Sequence, residues 1–154
     1  MDWSDTVEQA TFRTEVRDLI SSRLPERYRA MAASGDGGIG SWQGDRVSEN
    51  EAHRKDAADW AQALSEKGWV APHWPEEYGG ASMGAMEQFI FNQEMAEAGA
   101  PSVGGSGVGL LGPALIVHGT EEQKARYLPP ILAGEKTWAQ GFSEPAAGSD
   151  LAGL

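Results

Sequence analysis

The stretch from Trp138 to Leu154, WAQGFSEPAAGSDLAGL, combines residue types that suit ligand binding. Ser143 and Ser149 supply hydroxyl donors, and the small residues around them let backbone N–H groups approach a ligand closely. Such a loop suits a planar, acceptor-rich heterocycle or a phosphate. Taken alone, however, a proline followed by alanine, glycine and serine is also typical of an ordinary turn.

A second pattern, Gly107-Val108-Gly109-Leu110-Leu111-Gly112, has the glycine spacing of a dinucleotide-binding loop. That loop requires a strand before it, a helix after it and an acidic residue about twenty positions further on. Nothing before Gly107 has the pattern of a strand, Pro113 follows the motif directly, and Glu135 belongs to a different element. We therefore expect these glycines to allow close helix packing rather than to bind a dinucleotide.

The remaining ionisable side chains do not form a catalytic or metal-binding pattern. His53, His73 and His118 are far apart, and no acidic residues stand at ligand spacing around them, so no metal is expected. Glu94 and Glu97 lie three positions apart on a predicted helix, where a solvated face or a salt bridge is more common than proton transfer. We assign neither carboxylate a catalytic role.

Composition narrows the class of protein. The 154 residues are enough for one domain with an apolar core, and twelve basic against twenty-three acidic side chains give a net charge of −11, which disfavours nucleic acid as a partner. The sequence has no cysteine, and its acidic start is unlike a secretory signal. No apolar run approaches the ~18 residues of a membrane span. These features favour a soluble, cytoplasmic protein.

The spacing of apolar residues predicts helices along most of the chain. Residues 7–24 repeat apolar positions every three or four residues, and Pro25 should end that helix. The glycine-containing segment 34–47 is expected to be a flexible loop. The Ser-x-x-Glu spacing that starts at Ser48 predicts a capping box and a second helix that runs to about Lys67.

Two further helices are predicted after the aromatic-rich loop that closes with Gly79-Gly80. The apolar face of the first is expected to carry Met86, Phe89, Ile90, Met95 and Ala98. Thr120 and Gln123 predict a capping box for the second, and Pro129-Pro130 should interrupt or tighten it.

The character of the sequence changes after Gly134. Thr137, Trp138 and Phe142 lie in a short run that is closer to a strand than to a helix. Because a lone strand cannot satisfy its backbone groups, its partners are expected in sequence that is not present here. The sequence therefore predicts an all-α fold over 1–134, followed at 135–154 by the incomplete start of a β domain.

Four segments considered together resemble the acyl-CoA dehydrogenase family in their order and spacing. They are GWVAPHWPEEYGG, EMAEAGAP, LLGPALIVHGTEEQKARYLPPILAGE and WAQGFSEPAAGSDLAGL. The resemblance implies the amino-terminal helical domain of a longer subunit that continues into a small β domain and a four-helix bundle. It also implies FAD as cofactor and oxidation of an acyl-CoA to a 2-enoyl-CoA. In that reaction a carboxylate removes the α proton and the β carbon gives a hydride to the flavin.

The resemblance also assigns roles to individual positions. It implies that the flavin is contacted by Gln140, Phe142, Ser143, Gly148 and Ser149. Ser149 matches a serine that touches both flavin and substrate, while Phe89 and Gln93 are expected to shape the pocket for the acyl tail. Ala146 stands where the family usually has glycine. No catalytic residue is expected in this chain, because the family's base lies beyond residue 154.

The partners implied are an acyl-CoA substrate, an electron-transferring flavoprotein and a homo- or hetero-tetramer. Two alternatives stay open from the sequence. The chain could be a stand-alone helical assembly module, or it could belong to an acyl-CoA oxidase or to a partner subunit that has lost its base. The identity of the acyl group is also left open.

Overall fold

The computed structural model describes residues 4–35, 41–141, 143–145 and 148. These ranges contain seven α-helices, one 3-10 turn, one π-helical turn and no regular strand. The α-helices are α1 Val7–Arg23, α2 Glu26–Ser34, α3 Ser41–Asp45, α4 Glu51–Ser65, α5 Ala85–Glu97, α6 Gly112–His118 and α7 Glu121–Leu132. The 3-10 turn is Glu76–Tyr78 and the π turn is Gly107–Leu111. The all-α prediction is confirmed.

Helix α1 has the bounds that its periodicity predicted. Thr6 closes a capping box with Gln9 at the start, and the helix ends at Arg23, two residues before Pro25. It packs against α4 and α5, while α7 packs against α6 and the π turn. Buried side chains from α1, α4, α5, α7 and the π turn belong to one apolar core.

Three fully buried tryptophans connect separate elements of this core. Trp42 Nε1 donates to Ala57 O at 2.9 Å, and Trp60 Nε1 donates to Pro101 O at 2.9 Å. Trp74 Nε1 donates to the carbonyl oxygen of Val108 in the π turn at 3.1 Å. Each indole thus buries a large apolar ring and also satisfies its single donor on the backbone of a distant segment.

Part of the segment 34–47, expected to be a flexible loop, is helical. Helix α3 occupies Ser41–Asp45, and Trp42 and Asp45 on it are buried. Arg27 Nη2 contacts Asp45 Oδ1 at 2.8 Å, so the buried carboxylate is paired. Burial of a tryptophan together with this ion pair outweighs the conformational entropy of the neighbouring glycines, which the expectation of a loop overestimated.

The predicted capping box at Ser48 is wrong. Helix α4 begins at Glu51 with Asn50 as its cap, whose Oδ1 accepts from Ala52 N at 2.9 Å. Ser48 Oγ accepts instead from Asn50 N, two residues further on. Asparagine and serine are both strong N-cap residues, and here the one next to the helix prevails.

The predicted apolar face of α5 is partly wrong. Ile90 and Met95 are buried as expected, but Met86 is 46% exposed and Phe89 is 61% exposed. The buried face contains Phe91 and, unexpectedly, a carboxylate at position 94. Hydropathy alone does not identify such a face, because a paired charge occupies one of its central positions.

Helix α7 begins at the predicted capping box, which Thr120 and Gln123 form. Its two prolines do not interrupt it, and the helix continues to Leu132. Pro129 lies on the exposed side of α7, together with Ala125 four residues before it. The two prolines leave the carbonyls of Ala125 and Arg126 without a helical donor, and both of these residues are exposed, so water is available to replace the lost bonds.

The strand expected after Gly134 is not formed in the described residues. Residues 135–141 have no regular secondary structure, since no neighbouring strand is available within the described ranges to pair with them.

Candidate functional site

An apolar cavity of about 400 Å³ lies between α5 and the loops on either side of it. Its walls are the side chains of Trp69, Phe91, Met95, Val103 and Val108. Polar side chains from His73, Gln88, Asn92 and Ser102 also line it. An apolar chamber with a few polar groups is the usual form of a site for a small organic ligand.

Glycines shape the wall of this cavity opposite α5. Gly104 has φ +88° and Gly105 has φ +50°, a left-handed backbone that turns the chain into the π turn. The predicted close packing of the G-x-G-x-x-G glycines is confirmed at two of its three positions. A Cβ atom on Gly107 would stand 2.8 Å from Trp138 Cδ1, and one on Gly112 would stand 1.8 Å from Trp74 Cζ2. A helical turn lies within this motif and ends just before its last glycine. A dinucleotide-binding loop would instead need a strand before its first glycine.

The segment that leaves α7 is held against the same π turn. The Trp138 ring lies against Gly107 on one side and meets Tyr127 edge-on, with ring centroids 5.7 Å apart and planes at 84°. Trp138 is half-buried, whereas Ala139, Gln140 and Gly141 directly after it are exposed. The π turn thus has the apolar cavity on one side, through Val108, and this segment on the other.

The structure describes three of the five residues that were predicted to contact the flavin. Gln140, Ser143 and Gly148 are exposed, while Phe142 and Ser149 lie outside the described residues. Exposed backbone with small side chains and with amide and hydroxyl donors fits an acceptor-rich heterocycle such as the flavin ring. The assignment of these five residues to the flavin stays a prediction.

The two residues predicted to shape an acyl pocket do not line the apolar cavity. Phe89 and Gln93 line a separate groove beside the start of α1. Gln93 Oε1 accepts from Arg13 Nη1 at 2.9 Å, and Gln93 Nε2 donates to Glu97 Oε1 at 3.0 Å.

The side of α5 that faces the cavity carries residues that sequence reasoning missed. The missed residues are Gln88, Phe91 and Asn92, and together with Met95, which was predicted on the apolar face, they follow one helical stripe at i, i+3, i+4 and i+7. This spacing could have identified the cavity side of α5 from the sequence, but polar residues at two of the four positions interrupt the apolar pattern.

Glu94 is buried between two arginines of α1. Arg13 Nη1 contacts Glu94 Oε1 at 2.6 Å, and Arg17 Nε contacts Glu94 Oε2 at 2.7 Å. Desolvation acts to raise the pKa of Glu94, but hydrogen bonds from Arg17 and Arg13 outweigh it, and the net effect holds the pKa below its ordinary value of 4.5. This confirms the salt-bridge interpretation, since a base would need a free and more basic carboxylate.

The part of the chain that the structure describes contains neither a metal-binding cluster nor a membrane-spanning helix. No three side chains of His, Cys, Asp or Glu come close enough there to hold a metal ion. No helix in those ranges is long and apolar enough to cross a membrane.

Comparison with known proteins agrees with this architecture. The family model described as "Acyl-CoA dehydrogenase, N-terminal domain" matches residues 6–135. The chain belongs to the acyl-CoA dehydrogenase family, as its sequence motifs predicted.

Two individual acyl-CoA dehydrogenases are similar in sequence to nearly the whole of this chain. The chain is 36% identical over 153 residues to acyl-CoA dehydrogenase FadE26 of Mycobacterium tuberculosis, covering 98% of this chain and 34% of that protein. It is 40% identical over 149 residues to acyl-CoA dehydrogenase IpdE1 of Mycolicibacterium smegmatis, covering 96% of this chain and 36% of that protein. The chain therefore spans about a third of the length of these relatives.

Two solved structures match most or all of the chain. One is the ChsE4-ChsE5 complex from Mycobacterium tuberculosis, with a TM-score of 0.69 and 33% identity over 100% of this chain and 35% of that chain. The other is a variant of the steroid ACAD Tcur3481-Tcur3483, with a TM-score of 0.71 and 34% identity over 97% of this chain and 35% of that chain.

Proposed function

We propose that this chain is the amino-terminal part of an FAD-dependent acyl-CoA dehydrogenase that oxidises an acyl-CoA to a 2-enoyl-CoA. The observation that carries the proposal is the position of the π turn Gly107–Leu111. Val108 of this turn lines the apolar cavity, and Gly107 supports the Trp138 ring just before the predicted flavin contacts. One turn therefore contacts both a chamber suited to an acyl tail and a segment suited to a flavin.

In this proposal the cavity holds the acyl tail of the substrate. The aromatic and aliphatic walls formed by Trp69, Phe91 and Met95 remove apolar surface from water, and Gln88 and Asn92 add polar contacts. Fixing the tail in this way orients the α and β carbons against the cofactor, and orientation is a large part of the rate gain for a reaction between two bound groups.

FAD, when bound, supplies the acceptor for the hydride that leaves the β carbon. We assign its contacts to Gln140, Phe142, Ser143, Gly148 and Ser149, with Ser149 also touching the substrate. These residues bind and orient; none of them removes the α proton. The proposal places that base in sequence beyond residue 154, as the family resemblance implies, and Glu94 is committed to its two arginines.

The acyl group is proposed to be large and ring-bearing. Support comes from the likeness to a protein described as a steroid ACAD and from the aromatic walls of the cavity, which suit packing against a flat ring system. The likeness to the ChsE4-ChsE5 complex favours a hetero-oligomer, within the homo- or hetero-tetramer that the resemblance implies. A cytoplasmic location and an electron-transferring flavoprotein as acceptor complete the proposal.

A stand-alone assembly module is the second candidate function. It is favoured by apolar side chains left on the surface around α6, where Leu110 is 53% exposed and Val117 is 71% exposed. Such a module would bury these side chains against a partner and would hold no flavin.

The test is expression of the gene that encodes this chain, with the sequence that follows Leu154, and measurement of the visible absorbance of the purified protein. The proposal expects a yellow protein whose flavin absorbance bleaches when an acyl-CoA is added without oxygen. A panel of straight-chain and ring-bearing acyl-CoA thioesters then compares kcat/KM. A gene product that never holds flavin would overturn the enzyme proposal and favour the assembly module.

A further inference from the structure

We propose that Arg46 is a positioning residue that fixes the start of the flavin-contact segment on the helical domain. The proposal rests on the proposed function, because the role of Arg46 is defined through the flavin contacts that follow Gly134. Arg46 touches neither cofactor nor substrate in this proposal. It acts on the direction in which the segment leaves the last helix.

The guanidinium of Arg46 bonds three groups of the segment. Its Nη2 donates to Glu135 O at 2.7 Å, its Nε donates to Gly134 O at 3.3 Å, and its Nη1 contacts Thr137 Oγ1 at 3.4 Å. These three groups lie within the four residues 134–137, and a planar fork with several donors reaches them together. Because the donor is charged, hydrogen bonds to it are stronger than those between neutral groups.

Arg46 is itself held on a rigid support. It follows α3 directly, its N–H donates to Trp42 O at 3.0 Å, and its guanidinium lies 5.8 Å from the centroid of the Trp42 ring. Trp42 is fully buried and bonded to the carbonyl of Ala57, while Asp45 ties α3 to Arg27. The backbone of Arg46 is therefore fixed to a buried residue, and its guanidinium lies beside the ring of that same residue.

The segment needs such support because it has no regular secondary structure. Its residues 135–137 are exposed, and the amides of Glu135 and Lys136 share one acceptor, Pro130 O, at 3.1 and 3.2 Å. Gly134 has φ +67° and packs on Trp42, where a Cβ atom would stand 2.9 Å from Cζ2. The same tryptophan thus supports both the arginine and the start of the segment that the arginine holds.

The distance to the predicted flavin contacts is short. Gln140 follows Thr137 by three positions, which is at most about 10 Å of extended chain. Trp138 adds a second anchor between them by packing on Gly107. Loss of the first anchor therefore tilts the segment about the second, and the tilt moves the donors that are proposed to face the flavin.

The experiment uses the complete gene product and three variants. Arg46→Gln removes the charge and the fork, and Arg46→Lys keeps the charge without the fork. Arg54→Gln is the matched control, because Arg54 Nη1 also bonds two backbone carbonyls, those of Ser48 and Glu49, at 2.6 and 2.9 Å, but on a different segment. The measurements are the Kd for FAD, the visible circular dichroism of bound flavin and the hydrogen exchange of the Glu135 and Lys136 amides.

We expect Arg46→Gln to raise the Kd for FAD about tenfold, because FAD binding must then also order a segment that has lost its charge-assisted hydrogen bonds. The variant should also alter the flavin dichroism and accelerate exchange of both amides. Arg46→Lys should recover part of the affinity, and Arg54→Gln should match the wild type in all three measurements. Far-ultraviolet dichroism verifies that each variant is folded.

Two results would overturn the inference. One is a folded Arg46→Gln protein with unchanged amide exchange, which means that Arg46 does not hold the segment. The other is faster exchange with unchanged FAD affinity and flavin dichroism, which means that the anchor does not position the flavin contacts. A wild-type protein without flavin is a separate outcome, which sinks the proposed function and the flavin part of this inference together.

Discussion

The ring of Trp74 lies directly against the backbone of Gly112. A Cβ atom at position 112 would stand 1.8 Å from Cζ2 and 2.4 Å from Cη2 of this ring. Trp74 cannot easily move away, because it is fully buried and its Nε1 donates to Val108 O. This contact joins the aromatic loop before α5 to the start of α6.

We expect Gly112→Ala to destabilise the protein. Gly112 has φ −60° and ψ −52°, so alanine would ordinarily favour the helix there. The overlap with the ring reverses that sign, and the expected loss is about 1–3 kcal/mol in the free energy of unfolding measured in urea. Gly109→Ala is the control, since nothing lies within 4 Å of its Cβ position. Equal stability of the two variants would contradict this account.

The glycine motif shows how much the sequence could predict. The surrounding pattern ruled out a dinucleotide loop and indicated close packing, which requires no knowledge of distant residues. It could not predict that Trp74 and Trp138 are the rings that pack on Gly112 and Gly107, because both contacts join segments far apart in the chain. Local patterns predict which elements form, and long-range packing decides what they touch.

The errors have a common physical cause. Glycines around α3 predicted a loop, but burial of Trp42 and the ion pair of Asp45 stabilise a helix there. The predicted apolar face of α5 omitted Glu94, whose burial depends on its ion pairs with arginines of α1, about eighty residues away. Stability that comes from partners distant in sequence has no local pattern, so it could not be predicted.

We expect Thr120→Ala to destabilise α7. Thr120 Oγ1 accepts from Gln123 N at 3.2 Å, and Gln123 Oε1 accepts from Thr120 N at 2.8 Å. Removing the hydroxyl leaves one amide of the first turn without its partner, at an expected cost of about 1 kcal/mol. Thr120→Ser retains the acceptor and should unfold close to the wild type in urea. A serine variant as unstable as the alanine variant would mean that the methyl group, rather than the cap, matters.

A pair of variants on α5 tests which of its sides faces the substrate. Asn92→Trp places a bulky ring beside the apolar cavity. Because the ring blocks part of the surface that would contact the acyl tail, we expect the KM of the complete enzyme for its acyl-CoA to rise by about tenfold. Phe89→Ala removes a side chain from the groove beside α1 and should leave KM unchanged. Flavin content should be the same in both.

The opposite result for this pair would restore the role of Phe89 that the resemblance implies. In that case loss of the phenyl ring would raise KM, and the indole at position 92 would be tolerated. The KM values therefore decide between the two sides of the same helix, with the flavin absorbance as the check that each variant is intact.

The ion pairs of Glu94 predict a dependence of stability on pH. The pKa of Glu94 in the folded protein lies below the ordinary value of 4.5, so the folded state binds protons less readily than the unfolded state. The stabilisation is fully present above the unfolded pKa and is lost as the pH falls through the folded pKa. At pH 7 we expect Glu94→Gln to cost about 2 kcal/mol, because it weakens hydrogen bonds to two arginines. Below pH 4 that difference from the wild type should shrink.

Glu97→Gln is the matched control for this effect. Glu97 lies one turn further along α5 and is exposed, and the substitution makes the same change in net charge. The free energy of unfolding in urea is measured for both variants and the wild type between pH 3 and pH 7. This window includes the ordinary pKa of carboxyl groups, which is about 4. A Glu94→Gln difference that stays constant over this window would show that packing, and not the charge of Glu94, stabilises the contact between α1 and α5.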